Sequence, residues 1–129
     1  MIRGAVNAAY EPIVRIAVRG PSGLSREIEA IVDTGYNGYL TLPPALASAL
    51  ELPFVTSNPG LLADGTEVTF EVRSATVLWD GHPRDIDAHM SDATPLIGMR
   101  LLDGHSLHMD VLDGGRVAIA PLTAEPSTP

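Results

Sequence analysis

The chain has 129 residues, which is enough for one domain with a single core but not for two. Hydrophobic residues make up 45% of it and aromatic residues only 5%, so the composition predicts a folded protein with a mainly aliphatic core, not a disordered chain. The absence of cysteine excludes disulfides, thiolate nucleophiles and cysteine-ligated metal centres. With 8 basic against 16 acidic residues, the net charge of −8 argues against nucleic acid or an anionic membrane as a partner.

The sequence carries no evident membrane or targeting signal. No stretch approaches the roughly 20 apolar residues that span a bilayer, and residues 1–10 contain no apolar run typical of a signal peptide. We therefore expect a cytoplasmic protein, and the lack of cysteine agrees with this expectation. Residues 11–122 are interpreted as the domain, residues 1–10 as a lead-in, and residues 123–129, rich in Pro, Ser and Thr, as a flexible tail.

The first half of the domain predicts a hairpin, a short strand and a helix. Residues 13–19 alternate apolar and polar side chains with a period of two, and after a Gly-Pro-Ser-Gly turn residues 24–32 continue as a second strand. Residues 39–42 form a short strand of β-rich composition. Two prolines then open a helix over residues 45–52, and a third proline ends it.

The second half adds further short strands. Residues 67–73 alternate, and the apolar phase slips near Ser74, which indicates a bulge or a change of sheet. Later strands are predicted at residues 84–90, 106–112 and 116–122, separated by turns that contain Asp-Gly. Many short strands at regular turn spacing with one main helix predict a small all-β barrel or sandwich.

One segment carries residues suited to chemistry: Ile31-Val32-Asp33-Thr34-Gly35. An ionisable Asp directly follows a strand of buried type and precedes a glycine that permits a sharp turn. A carboxylate held in low dielectric at such a position is useful for proton transfer. Taken alone, the tripeptide fits an ordinary turn equally well, with an Asp that caps a strand.

The order of motifs along the chain resembles the retroviral-type (retropepsin-like) aspartic proteases, most closely their small single-domain bacterial members. In that family a hairpin leads into two hydrophobic residues and Asp-Thr/Ser-Gly, here Asp33-Thr34-Gly35, and a short strand and a Pro-started helix follow. A glycine-bearing hairpin called the flap, here residues 61–68, closes over the substrate. Near the C-terminus, Leu96-Ile97-Gly98 matches the segment that passes beside the catalytic loop and opens a short helix. The match runs in the correct order from about residue 11 to residue 122.

The resemblance implies an all-β, retropepsin-like closed β-barrel with one main helix and a short helix after the Leu-Ile-Gly segment. It also implies an aspartic endopeptidase in which Asp33 is the catalytic carboxylate. Thr34 is expected to hydrogen-bond across a dimer axis to its counterpart, and Gly35 to let the backbone approach the substrate closely.

The same resemblance implies positions that contact the substrate. Asn37 and Gly38 fall where the family contacts the substrate backbone, and Ala63, Asp64 and Gly65 are expected at the tip of the flap. The substrate, a peptide or protein, is expected to bind in extended form, as an added strand between the flap and the floor of the cleft.

The chemistry of such an enzyme sets the oligomeric state. Peptide hydrolysis by this route uses two carboxylates that share one proton, one acting as base toward water and the other as acid toward the carbonyl oxygen. The chain contains Asp-Thr-Gly once, so the second carboxylate must come from a second copy. A homodimer with Asp33 beside its twofold axis supplies it, and the monomer is expected to be inactive. Because water is the nucleophile, no metal and no organic cofactor is expected.

Tyr36 departs from the family pattern, which usually has a small residue directly after Asp-Thr-Gly. A large ring at this position either narrows the cleft or faces away into the core.

Histidines and carboxylates also allow a zinc hypothesis. His105 and His108 are three residues apart, with Asp110 nearby, and His89 shares a strand face with two aspartates. The segment around His108 predicts a strand, however, on which His108 and Asp110 point to solvent. We therefore predict a solvated strand face and no metal site.

The main alternative to an enzyme is a non-catalytic dimer on the same fold that binds peptides or proteins, because fold does not fix function. A third possibility is a structural dimer in which the Asp33 loop is vestigial.

Overall fold

The structure is a computed structural model that describes residues 1–123, so residues 124–129 of the predicted tail lie outside the described residues. Within that range ten strands and two short helices follow one another along the chain. In order they are β1 (Ile2–Val6), β2 (Pro12–Arg19), β3 (Ser25–Val32), β4 (Leu40–Leu42), α1 (Pro44–Ala49), β5 (Phe54–Leu61), β6 (Glu67–Trp79), β7 (His82–Met90), β8 (Leu96–Ile97), α2 (Met99–Leu102), β9 (His105–Met109) and β10 (Arg116–Pro121).

All ten strands belong to one sheet, in the order β5-β6-β7-β4-β8-β3-β2-β1-β10-β9. Strand β2 has two partners besides β3: its start pairs with β1, and residues 17–19 pair with residues 76–78 of β6. The β2–β6 pairing links β6, β7, β4, β8, β3 and β2 into a ring of neighbours. Residues 67–73 of β6 pair with β5 and residues 76–78 with β2, so the slip near Ser74 marks a change of partner.

The core follows from the alternation of apolar residues in these strands. Val14, Ile16 and Val18 of β2 are buried, as predicted, and Arg15 between them is exposed. The short β4 and β8 are buried almost throughout, and Ile97 has no exposed surface. Because every side chain of β4 lies inside the protein, hydrophobic burial holds this short strand in place, although it has only three residues.

Helix α1 begins at Pro44, where a missing N–H is tolerated, and ends at Ala49, three residues before the predicted end. Glu51 has a positive φ of 55°, the Leu52 N–H donates to Ala47 O, and the Glu51 N–H donates to Ser48 O. This pair of hydrogen bonds is the Schellman motif, which closes a helix through one left-handed residue. The proline after Leu52 prevents the helix from continuing.

Three strands, β1, β5 and the two-residue β8, have no counterpart among the strands predicted from the sequence. Residues 1–10, interpreted as a lead-in, contain β1, which pairs with both β2 and β10 and buries Ile2 and Val6. Strand β5 is exposed at every position except Gly60, so it lacks the alternation that indicates a strand. Backbone pairing with β6 forms β5 without a buried face.

The all-β class is confirmed, with one main helix and a short helix, α2, directly after Gly98. In residues 1–123, no helix has the length and apolarity that crossing a membrane requires.

Candidate active site

The candidate site is built around β8, which lies between β3 and β4. Residues 31 and 32 of β3 pair in parallel with Leu96 and Ile97, and Leu40 of β4 pairs with Ile97 from the other side. The chain therefore leaves β3 on one side of β8 and returns on the other side as β4. The connecting loop, residues 33–39, is called the Asp33 loop below.

Asp33 is the first residue of this loop, and it is held through both its backbone and its side chain. Its N–H donates to Ile97 O (2.9 Å), and its carbonyl accepts the Tyr36 N–H (3.2 Å). Its Oδ1 accepts the Gly35 N–H at 2.9 Å. The Asp33 residue is half-buried, whereas Thr34 and Gly35 are exposed. The loop thus presents a fixed carboxylate next to open surface.

Backbone N–H groups at the start of helix α2 and at its N-cap, Gly98, donate hydrogen bonds to carbonyl groups of the Asp33 loop. The Gly98 N–H donates to Tyr39 O (3.0 Å), the Met99 N–H to Tyr36 O (2.8 Å) and the Arg100 N–H to Gly38 O (3.1 Å). A side chain at Gly98 would overlap Gly38 O, and its Cβ would stand 2.8 Å from Tyr36 O. The Leu-Ile-Gly segment therefore needs its glycine because the Asp33 loop passes so close.

The Tyr36 ring turns into the protein. Its Oη lies 2.6 Å from His89 Nδ1 on β7, and the two rings meet edge to face with centroids 6.0 Å apart. Burial raises the pKa of the Tyr36 hydroxyl to about 12. Of the two orientations left open by the sequence, the structure has the ring facing inward.

Asn37 and Thr34 each line an open depression beside α2. Asn37 borders one of about 270 Å³ with Tyr39, Met99, Arg100 and Asp103. Thr34 borders another of about 340 Å³, which shares Met99 and Asp103 and extends to His105 and Leu107. Side chains of α2 and of the residues after it thus flank both of these exposed loop positions.

Ala63, Asp64 and Gly65 lie in the turn that joins β5 to β6. The Gly65 N–H donates to Leu62 O (2.9 Å), the Leu62 N–H donates to Thr66 O (2.8 Å), and Gly65 has a φ of +86°. These features describe a three-residue hairpin loop with a left-handed glycine. The Asp64 side chain accepts the Thr66 N–H at 2.9 Å.

The predicted site residues therefore form two sets. Asp33, Thr34, Gly35, Asn37 and Gly38 lie together in the Asp33 loop, and Ala63, Asp64 and Gly65 lie together at the hairpin tip. Within residues 1–123 no hydrogen bond joins the two sets.

Of the histidines considered for zinc, His89 contacts Tyr36 of the Asp33 loop, whereas His105 and His108 bond to other groups. His108 is exposed, and its Nε2 lies 2.9 Å from Asp110 Oδ1 and 3.1 Å from an Arg116 guanidinium nitrogen. His105 Nε2 accepts the Trp79 Nε1–H at 3.1 Å. In the part of the chain that is described, no three His, Asp or Glu side chains are grouped to hold a metal ion.

Sequence analysis did not connect His89 to the site. Its position alternates outward on β7, and it is separated from Tyr36 by 53 residues, so no local pattern pairs them. The one available signal was Tyr36 itself, because a tyrosine that turns inward needs a hydrogen-bond partner for its hydroxyl.

Comparison with known proteins identifies the fold. No protein-family model and no curated protein matches the chain. The structure is similar to the crystal structure of a retropepsin-like aspartic protease from Rickettsia conorii, with a TM-score of 0.58 and 18% sequence identity. The similarity covers 95% of this chain and 91% of that one. The strand layout, the loop across β8 and this likeness together lead to one conclusion: the chain has the fold of a retropepsin-like aspartic protease.

Proposed function

We propose that the chain is an aspartic endopeptidase that works as a homodimer and hydrolyses peptide bonds with a water molecule held between two Asp33 carboxylates. The observation that carries this proposal is the position of Asp33, directly after β3 and bonded to Ile97 of β8, in a chain with the retropepsin-like fold. A half-buried carboxylate beside two exposed residues is held in place and is still open to a substrate.

The reaction requires both subunits. Two carboxylates a few ångströms apart cannot both ionise, so they share one proton. The ionised carboxylate takes a proton from water as the water oxygen attacks the peptide carbonyl carbon. The protonated carboxylate gives its proton to the carbonyl oxygen, which yields a tetrahedral diol. The carboxyl that took the proton from water then gives it to the leaving nitrogen as the C–N bond breaks. A diol hydroxyl returns a proton to the other carboxylate, which restores the pair and leaves a carboxylic acid and an amine.

Thr34 and Gly35 have separate roles in the proposed dimer, in which each subunit contributes one Asp33 loop. Thr34 is exposed next to Asp33, and its hydroxyl is available to hydrogen-bond to the equivalent residue of a second subunit. Gly35 has a more direct reason to lack a side chain, because a Cβ there would stand 3.2 Å from Asp33 Oδ1 and crowd the carboxylate. The Gly35 N–H also orients that carboxylate through its hydrogen bond to Oδ1.

The substrate is proposed to lie in extended form between the Asp33 loop and the β5–β6 hairpin. Asn37 is exposed, whereas Gly38 is half-buried and its carbonyl already accepts the Arg100 N–H. At the other side, Ala63, Asp64 and Gly65 form an exposed tip that can contact a peptide backbone. Such main-chain pairing gives affinity, and pockets for the side chains give specificity.

Replacement of Asp33 by Asn tests the proposal. We expect peptide cleavage at acid pH to fall at least about a thousandfold, because the amide can neither take nor hold the shared proton. Asp92→Asn is the matched control, since Asp92 is exposed and lies outside the proposed site. Digests of a peptide library would be read alongside native masses, and the dimer should persist in both variants.

The outcomes separate the candidate functions. Cleavage by Asp33→Asn at the wild-type rate would reject the aspartic mechanism. If the wild type cleaves nothing but binds peptides, the protein is a binding module on a protease fold. If it neither cleaves nor binds peptides, the Asp33 loop is vestigial.

A further inference from the structure

The Asp33 loop is attached to the rest of the protein on two sides. On one side, backbone hydrogen bonds join it to β8 and α2. On the other side, the side chain of Tyr36 reaches β7 through a hydrogen bond. The loop contains two glycines, Gly35 and Gly38, so its backbone has unusual conformational freedom and its position depends on these attachments.

The Tyr36 ring fills the space left by two glycines. A Cβ at Gly98 would stand 2.6 Å from Tyr36 Cδ2, and a Cβ at Gly38 would stand 2.8 Å from Tyr36 Cε1. Both separations are far below van der Waals contact, so neither position accepts a side chain while the ring is in place. The ring is therefore confined between the loop and the start of α2.

The hydroxyl of this confined ring has a specific partner. Burial raises the pKa of Tyr36 to about 12, so the hydroxyl remains protonated at neutral pH and donates. His89 Nδ1 lies 2.6 Å away, whereas the other acceptor, Leu40 O, lies at 3.4 Å. The shorter distance favours His89 Nδ1 as the acceptor, and this choice assigns the imidazole proton to Nε2.

His89 is a rigid anchor because β7 is paired on both sides at this point. It stands opposite Thr41 of β4 and Val72 of β6. Thr41 is itself buried, and its Oγ1 accepts the Leu96 N–H at 2.8 Å. A side chain bonded to His89 is thus fixed relative to three strands.

We propose that Tyr36 and His89 are positioning residues, and that the bond from Tyr36 Oη to His89 Nδ1 sets the place of the Asp33 carboxylate relative to β7. This inference rests on the proposed function. A dimer presents two such loops to one substrate, so a displaced loop displaces both carboxylates. Catalytic groups lose activity steeply with small misplacement, on the order of a hundredfold for about 1 Å.

The test compares variants that remove or keep the acceptor. Tyr36→Phe removes the donor and keeps the ring, and His89→Leu removes the acceptor. His89→Asn is the rescue variant, because its side-chain oxygen occupies the place of Nδ1. We expect kcat to fall at least about tenfold in the first two, with KM changed less than about twofold, and His89→Asn to recover most of kcat. Tyr10→Phe is the matched control, since Tyr10 is exposed.

The double variant with Tyr36→Phe and His89→Leu should be no slower than either single variant, because both remove the same bond. A wild-type kcat in Tyr36→Phe would overturn the inference. So would a His89→Asn variant as slow as His89→Leu, both being folded by thermal denaturation.

A second measurement needs no activity. Nitrogen-15 NMR of the wild type should show His89 Nδ1 as an unprotonated, hydrogen-bonded nitrogen. The Thr34 and Gly35 amide signals should shift and exchange faster in Tyr36→Phe but not in Tyr10→Phe. A protonated Nδ1, or unmoved Thr34 and Gly35 signals, would overturn the inference even if the protease activity is real. A wild type that cleaves nothing yet shows these signals would reject the proposed function alone.

Discussion

Asp33 is oriented by two of its neighbours, the Gly35 N–H on its carboxylate and Ile97 O on its own N–H. A Cβ at position 35 would stand 3.2 Å from Asp33 Oδ1, a tight contact with the carboxylate that the Gly35 N–H holds. The next residue, Tyr36, has a large side chain instead, and its ring points into the protein toward His89. At the scale of single residues, the Asp33 loop therefore has a glycine, Gly35, at the exposed surface and a bulky side chain, Tyr36, that points into the protein.

Asp64 at the hairpin tip shows how a single hydrogen-bonded carboxylate responds to pH. Hydrogen bonds from the Thr66 side chain and from the Thr66 N–H lower the pKa of the Asp64 carboxyl below its usual value of 3.8. A group whose pKa is lowered in the folded state stabilises that state above the unfolded pKa. This contribution is lost as the pH falls through the lower, folded value.

We therefore expect the Thr66 amide signal to stay constant at neutral pH and to change at acid pH as Asp64 becomes protonated, with a midpoint below the ordinary aspartate pKa. NMR of the Thr66 amide against pH measures this directly. Asp64→Asn is the control, because it keeps an oxygen acceptor and removes the titration. A midpoint at or above the ordinary aspartate value would contradict the structure.

At the scale of elements, the two-residue strand β8 determines the geometry of the site. It separates β3 from β4, accepts a hydrogen bond from the Asp33 N–H and ends at Ile97, directly before Gly98, the N-cap of α2. Ile97 has no exposed surface, so a single core side chain holds the strand to which the Asp33 loop is bonded. Loss of that side chain should affect both stability and site geometry.

Ile97→Ala should reduce the free energy of unfolding by about 2–5 kcal/mol, the usual cost of removing a buried Ile or Leu side chain to the β-carbon. Denaturant titration of the variant and the wild type measures the change. Leu24→Ala, at an exposed turn position, is the matched control and should stay within about 0.5 kcal/mol of the wild type. A loss similar to that of the control would mean that β8 is not a core strand.

At the scale of the whole molecule, one chain supplies one Asp-Thr-Gly and hence half of the proposed catalytic pair. A twofold dimer has two equivalent subunits, so each active assembly needs two intact copies of Asp33. This requirement predicts a specific effect of mixing subunits, which a self-sufficient monomer would not show.

Equal amounts of wild type and Asp33→Asn, allowed to exchange subunits, should show about half of the cleavage per wild-type subunit, because half of the wild-type chains then sit in mixed, inactive dimers. Asp92→Asn is expected to be active itself, so mixing it in the same way should leave the rate per total subunit unchanged. Cleavage that stays proportional to wild-type chains in the Asp33→Asn mixture would show that one subunit suffices.

Local sequence patterns predicted the secondary structure correctly where a strand is buried on one face, and where a turn contains residues such as Asp-Gly that adopt positive φ. The period-two pattern of residues 13–19 matches β2, and the Asp80-Gly81 turn joins β6 to β7 with positive φ at both residues, as such a two-residue hairpin loop requires. The order Asp-Thr-Gly, helix, hairpin and Leu-Ile-Gly also indicated the fold, through its resemblance to the retropepsin-like family.

The sequence by itself thus determined the all-β class, the main hairpins, the short helix after Gly98 and the single Asp-Thr-Gly on which the proposed dimer depends. Only the tertiary structure decided that β1 and β5 are strands, that α1 ends at Ala49 and that Tyr36 turns inward to His89. The physical reason is that side-chain periodicity records burial of one face. The edge strand β5 pairs through backbone groups that every sequence has, and a bond across 53 residues depends on which strands become neighbours.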